Sequence, residues 1–229
     1  MPLPLVKKWT RRESAQHHYE NLWKTDPTRF RTDRHARELL RVERTLTFTL
    51  SHLTQGSTLL DLGTGDGRIA MALHQQGFSI EVADISPTAL KHLPSSIPCH
   101  HEFIPHTKLF DKSFDAVLAL ELVAELPLPD QRLLQSEIAR LLKPNGLTIG
   151  STSIDIHSED ALSRYFSLID TEFTVLDIAC SHHAYSIRFP WIQRCRSLTL
   201  ALEALCRFFQ PETGISHLLW VGQKKPLLP

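Results

Sequence analysis

Long apolar runs are missing from this chain. No stretch approaches the ~18 consecutive apolar residues that a membrane-crossing helix needs, so no membrane span is expected. The opening segment MPLPLVKKWT lacks the continuous apolar centre of a secretory signal, and a cytoplasmic protein is the expectation. Cysteine is scarce. Cys99, Cys180, Cys195 and Cys206 are widely spaced and form no CxxC pair, which speaks against a disulfide framework or a zinc site and for reduced thiols. An excess of one charge is also missing, since 25 Lys and Arg balance 25 Asp and Glu. The balance is uneven along the chain. Residues 1–55 carry eleven Lys/Arg against six Asp/Glu, and this basic front end keeps nucleic acid open as a partner despite the neutral total. Internal repeats, low-complexity tracts and a serine elbow are absent as well. What is present suits a globular chain with a real core, at 229 residues, 42% hydrophobic and 22% charged.

Hydrophobic periodicity gives an alternation of strands and helices. Leu39, Leu40, Val42, Leu46, Leu50 and Leu53 recur at helical spacing from about Asp33 to Leu53. STLLDLG then reads as a buried strand and DGRIAMALHQQG as a helix stopped by Gly77. SIEVADI is the second strand. SPTALKHL opens a helix with Ser86 as its N-cap and Pro87 at its first position. PCHHEF and FDAVLAL are the third and fourth strands, and DQRLLQSEIARLLKPNG is a helix with Pro144 and Gly146 as stop signals. LTIGSTS, TEFTVLDIA and SHLLWVG are the remaining strands; helices begin near Ser158 and in WIQRCRSLTLALEALCRFF. Strands alternating with helices imply a mostly parallel sheet covered on both faces, hence an α/β domain. The division expected is a helical extension or lid over 1–55 and a main domain over 56–229, with a helical insertion at 190–210.

The most informative stretch is LLDLGTGDGRIA, Leu59 to Ala70. A strand entering a glycine-rich turn and then a helix offers bare backbone N–H groups and a helix N-terminus to a ligand. The spacing differs from the G-x-G-x-x-G of dinucleotide sites, because the glycines are Gly63, Gly65 and Gly67 and position 68 is Arg68. Asp61 precedes the loop and Asp66 lies in it. Two carboxylates repel a pyrophosphate by ~1 kcal/mol or more per contact. A cofactor carrying an ammonium and a sulfonium has the opposite preference, and S-adenosylmethionine is such a cofactor. Asp84 ends the second strand 17 residues past Gly67, where a carboxylate can accept hydrogen bonds from both ribose hydroxyls. Ile85 beside it is placed to pack on the adenine.

LLDLGTGDG, VADIS, FDAVLALELVAELP and RLLKPNGLTIGS, in this order, resemble the class I S-adenosylmethionine-dependent methyltransferases, in the broad group of quinone-biosynthesis and biotin-pathway enzymes. The resemblance covers residues 57–152. It implies a three-layer Rossmann-like fold whose seven-stranded sheet is mostly parallel, with one strand reversed by a late hairpin. It implies that Asp61 and the loop Gly63, Thr64, Gly65 and Gly67 hold the methionine end, that Asp84 holds the ribose, and that Leu120 borders the cofactor. Relatives often place an acid after the third strand against the adenine amino group. That aspartate is missing near Phe103, and either Glu102 or a backbone contact serves in its place. Relatives that methylate phenolic or catechol oxygens carry a glutamate and a histidine after the fourth strand. Here the acids are Glu121 and Glu125, with Glu125 in the histidine's place.

Methyl transfer from a sulfonium is an in-line displacement, so alignment supplies much of the acceleration, and a base is needed only for an acceptor that must lose a proton. Glu121 and Glu125 are the candidate catalytic residues; surface acids on a first helical turn are the other reading. His100, His101 and His106 cluster at spacings that suit no familiar metal site, and no metal is expected. Arg34, Arg37, Arg41 and Arg44 share one helical face, either as a grip on an anionic partner or as a solvated face opposite the leucines. Trp9, Tyr19 and Trp23 either line a lid or dock the extension on the sheet. The expectation is methyl transfer to a small molecule with S-adenosylhomocysteine as product, by a monomer or a homodimer. RNA or protein methylation, and a catalytically silent cofactor-binding module, are the alternatives. No NPPY-like tetrapeptide follows the fourth strand, which lowers base methylation.

Overall fold

The computed structural model describes residues 11–27, 36–153, 159–183, 195–209 and 215–226. Its frame is a seven-stranded sheet in the order β3-β2-β1-β4-β5-β7-β6. The strands are β1 (Thr58–Leu62), β2 (Ser79–Asp84), β3 (Cys99–His101), β4 (Phe114–Leu120), β5 (Leu142–Ser153), β6 (Phe173–His183) and β7 (Ile215–Lys224). β1 to β5 pair in parallel, while β7 is antiparallel to both β5 and β6. This is the mostly parallel sheet with one reversed strand that the sequence suggests.

Successive strand residues face opposite sides, so each buried run feeds two cores. On one face Leu60, Leu62, Val117, Ala119 and Trp220 pack with Leu134 and Ile138 of α6 (Leu128–Leu141) and with Tyr165 and Phe166 of α7 (Glu159–Ile169). On the other, Leu59, Leu118, Ile149 and Val221 pack with Phe48 of α2 (Ala36–His52) and with Ile69 and Leu73 of α3 (Arg68–Gln75). α2 also lies against β6, β7 and α8 (Arg196–Phe209). α1 (Arg11–Thr25) instead touches α4 (Pro87–Leu90).

Two elements differ in extent from the periodicity. The helix opened by Ser86 lasts one turn, with Ser86 Oγ accepting from Ala89 N at 3.2 Å. Leu93 then turns inward, so that a Cβ built on Gly67 would run into its side chain. α6 ends at Leu141 before its expected stop signals. Lys143 to Gly146 belong to the irregular start of β5, where pairing shifts from Phe114↔Leu142 to Ala116↔Leu147.

The strand order reverses direction at β1 and β4, and open α/β sheets keep their ligands in the crevice outside the carboxyl ends at such a point. The loop after β1 and the turn after β4 flank that crevice here.

Candidate functional site

Beyond Leu62 the chain turns through Gly63, Gly65 and Gly67 at φ 72°, 58° and 71°, a left-handed region that a Cβ disfavours. The turn is tied down by Gly63 N donating to Ala83 O at 2.8 Å and Gly67 N donating to Thr64 O at 3.0 Å. Asp61 Oδ2 accepts from Thr64 Oγ1 at 2.7 Å. Asp84 accepts from Gly65 N at 2.9 Å with one oxygen and from Ser86 N at 2.8 Å with the other. Its carboxylate therefore staples the loop and keeps lone pairs in reserve.

Both acids are buried. Burial pushes the Asp61 carboxyl up to about 7; the Thr64 hydroxyl opposes that rise, and the charges of Asp84 and Asp66 add to it. Asp84 is raised by burial too, against the amides of Ser86 and Gly65. Nearby cations are spoken for, since Arg68 pairs with Asp66, and Arg41 Nε lies 2.9 Å from Glu38. Two buried carboxylates at a loop whose glycine amides already donate within the protein fit a ligand with an ammonium and hydroxyls, and do not fit a pyrophosphate.

α1 crosses this edge. The Glu20 carboxylate accepts from Ser86 Oγ at 2.7 Å, from Thr88 N at 3.1 Å and from Thr88 Oγ1. Burial opposes its ionisation, but these bonds together outweigh it and lower the Glu20 pKa to about 2. Tyr19 OH donates to Glu125 Oε2 at 3.0 Å, and burial together with the Glu125 charge raises the phenol. Trp23 is buried against the glycine loop, and a Cβ on Gly65 would lie 2.8 Å from its ring. Arg12 stands 5.4 Å over the ring of Phe103. One helix thus meets the ends of β1, β2, β3 and β4.

On the other side of the crevice, Glu121 follows β4 at φ 56°, a strained conformation for a residue with a side chain. Its amide donates to Ser151 O at 3.1 Å and to Ser151 Oγ at 3.0 Å. Ser153 Oγ donates to Glu121 Oε2 at 3.0 Å and also lies 3.0 Å from Nε2 of His217. That Nε2 is 3.4 Å from Glu121 Oε2. Burial works against the Glu121 charge, but His217 and the two serines hold its pKa below the usual carboxylate range. The one-turn α5 (Leu122–Glu125) comes next, with Leu122 against Gly63. Val123 and Ala124 border a cavity of about 1010 Å³, lined also by Thr152, Ser153, Leu162 and Tyr165.

The structure brings Asp61, Gly63, Thr64, Gly65, Gly67 and Asp84 together at one loop. Ile85 and Glu102 stand beside it, Ile85 O accepting from His101 at 3.0 Å and Glu102 N donating to Asp84 O at 3.1 Å. Leu120 closes β4 with Glu121 after it, whereas Glu125 is engaged by Tyr19. Of the arginine face, Arg44 is buried between Ser181 O and Glu203 Oε1, the latter at 2.6 Å, and Arg41 is paired within its helix. Arg34, the side chain of Arg37, and Trp9 lie outside the described residues. His100 sits 2.6 Å from Glu81. Among the described residues no group of His, Cys, Asp and Glu is arranged to hold a metal ion, and no helix is long and apolar enough to cross a membrane. Glu20 and His217 were not foreseen from the sequence. Each works through partners far along the chain, which no local pattern signals.

Residues 60–150 match the family model described as "Methyltransferase domain". The chain is 26% identical over 139 residues to a ubiquinone biosynthesis O-methyltransferase of Bordetella avium, a match covering 57% of this chain and 55% of that protein. It thus spans about half the length of that curated relative. Among solved structures it is similar to a Burkholderia thailandensis 1,6-didemethyltoxoflavin-N1-methyltransferase with bound 1,6-didemethyltoxoflavin and S-adenosylhomocysteine. The TM-score is 0.66 at 15% identity, covering 98% of this chain and 94% of that one. It is similar also to the N-methyltransferase NodS of Bradyrhizobium japonicum in complex with S-adenosylhomocysteine, with TM-score 0.66 at 15% identity over 95% and 100% of the two chains. At such identities the likeness to the solved structures is one of fold.

Proposed function

We propose that the chain, whose residues 60–150 match a methyltransferase-domain model, is a class I S-adenosylmethionine-dependent methyltransferase that transfers the methyl group to a small-molecule acceptor at the carboxyl ends of β4 and β5. The observation that carries this reading is the pair of buried carboxylates, Asp61 and Asp84, at a loop of left-handed glycines.

When bound, the cofactor supplies a methyl group on a sulfonium, open to in-line displacement. The chain's own residues do the rest. Asp61 would hold the methionine ammonium, and the reserve lone pairs of Asp84 would take ribose hydroxyls. Ile85 and Glu102 flank the adenine, and Leu120 borders the cofactor. The cavity beyond α5 has the size and mostly apolar walls of a small-molecule site. Glu121 faces the acceptor side. Glu125 fastens α1, which serves as a lid that excludes water through Glu20, Tyr19 and Trp23. Alignment of acceptor and methyl group is the main source of acceleration.

The internal pairing of Arg41 and Arg44 favours a small molecule over RNA as acceptor. Methyl-labelled S-adenosylmethionine, offered with a small-molecule extract, total RNA and total protein in parallel arms, tests this. Label in the small-molecule fraction is the expected result. Label confined to RNA or protein would contradict it.

A further inference from the structure

The carboxyl end of β4 carries a feature that methyl transfer in general does not require. Glu121 is held in a left-handed backbone conformation, and one carboxylate oxygen is already occupied by Ser153 and His217. The other, Oε1, is buried with no hydrogen-bond partner among the described residues. A buried carboxylate oxygen left unmatched is costly, so such a group is retained where a donor completes it. Ser153 and His217 stand opposite each other in the β5–β7 ladder, which fixes the pair that orients Glu121. The groups facing Glu121 are Ser151, Ser153, His217 and, through space, Tyr165. No lysine or arginine is paired with it among the described residues. Ser153 and His217 engage Oε2, so Oε1 is the oxygen left for a ligand.

We propose that Glu121, positioned by Ser153 and His217, selects an amine as the methyl acceptor, with an N–H of that amine donated to Oε1. This rests on the methyltransferase reading above and names its acceptor class. The bookkeeping of charge supports it. An amine that arrives as its ammonium first gives a proton to solvent, and the neutral amine then gives its lone pair to the new N–C bond while the S–C bond breaks with its electrons left on sulfur. The positive charge moves from sulfur to nitrogen, and the extra proton on the product leaves afterwards to solvent. A fixed carboxylate beside the nitrogen stabilises that developing charge. Beside a phenolate or a carboxylate acceptor the same group would repel the nucleophile. A phenol acceptor also needs a base, and Glu125, in the place where oxygen-methylating relatives carry histidine, is bonded to Tyr19.

The test uses the full chain saturated with S-adenosylhomocysteine and three probes of one shape: benzylammonium, benzyl alcohol and benzoate. Calorimetry is expected to show benzylammonium binding at least tenfold tighter than benzoate. Glu121→Gln, nearly isosteric, is expected to remove that preference while S-adenosylhomocysteine still binds as in the parent. His217→Gln is expected to weaken the preference and to shift its pH profile, which a purely structural role would leave in place. Equal binding of the three probes, binding by none, or a preference that survives Glu121→Gln overturns the amine assignment. Failure of S-adenosylhomocysteine itself to bind the parent chain would instead sink the methyltransferase reading on which the assignment rests.

Discussion

The polar floor of the cradle at β1 and β2 comes from one short run, Asp61 to Ser86, whereas the edge at β4, β5 and β7 joins Glu121, Ser153 and His217 across separations of 32 and 64 residues. The first region can be assembled by a single β-turn-α-β unit whose glycines, caps and acids lie in sequence. The second exists only when the late hairpin has docked in register, since Ser153 meets His217 through the β5–β7 ladder. The comparison teaches where each half of the chemistry is fixed. On the proposed reading, cofactor binding would reside in local chain geometry and choice of acceptor in tertiary pairing.

Breaking the long-range half alone is the most forceful way to test that contrast. Arg44 is buried between the Ser181 carbonyl and Glu203, itself 1% exposed. Arg44→Met removes one partner of that buried ion pair, with an expected loss of about 3–5 kcal/mol. Hydrogen exchange should then speed up in β6 and α8 well before β1 and β2. Uniform acceleration over the whole sheet would show that the two halves are one cooperative unit.

The next effect belongs to the local half and to pH. Asp61 is shifted upward from 3.8 to about 7 in the folded chain. A raised acid binds more protons folded than unfolded, so stability is expected to fall as pH rises through that window, by something on the order of 2–4 kcal/mol. Asp61→Asn should flatten this dependence and make the unliganded protein more stable at pH 8. A denaturant titration series across the window reads it directly. An unchanged slope in the variant would mean that the Asp61 shift is not expressed in solution.

Gly65→Ala is expected to act on the same half with a smaller effect. Strain at φ 58° and the approach of the Trp23 ring together suggest a loss of about 1–3 kcal/mol, seen as a lower Tm, with weakened binding of S-adenosylhomocysteine. Gly56→Ala, at φ 86° but with open space around it, controls for the strain alone. Smallest is Tyr19→Phe. Losing its bond to Glu125 should reduce stability by about 0.5–1.5 kcal/mol and raise proteolytic nicking of α1, without touching β6 or β7.

These differences follow what can be read from residues in order. Strand content and the glycine loop are legible because apolar alternation and the LGTGDG spacing are local signals, whereas the reversal by a late hairpin comes only with the family resemblance. The position of Asp84 at the loop is legible for the same reason, as its distance along the chain is that of one β-α-β unit. The one-turn extent of α4 is not, because it depends on Leu93 being drawn over Gly67. Nor could the arginine spacing reveal that Arg44 is buried, since Glu203 lies 159 residues away. The contact of Glu125 hid in the same manner, its partner Tyr19 being 106 residues distant in α1. Helical spacing places side chains on a face. It does not say what covers that face.

The central claim is that the acids at the glycine loop hold an adenosyl cofactor. Calorimetric titration of S-adenosylhomocysteine into the parent chain and into Asp84→Ala, with NADH as comparator, tests it most directly. The account predicts binding of the adenosyl compound alone, weakened at least tenfold by the substitution, which corresponds to about 1.4 kcal/mol or more. Binding indifferent to Asp84, or NADH bound as well as S-adenosylhomocysteine, would contradict it.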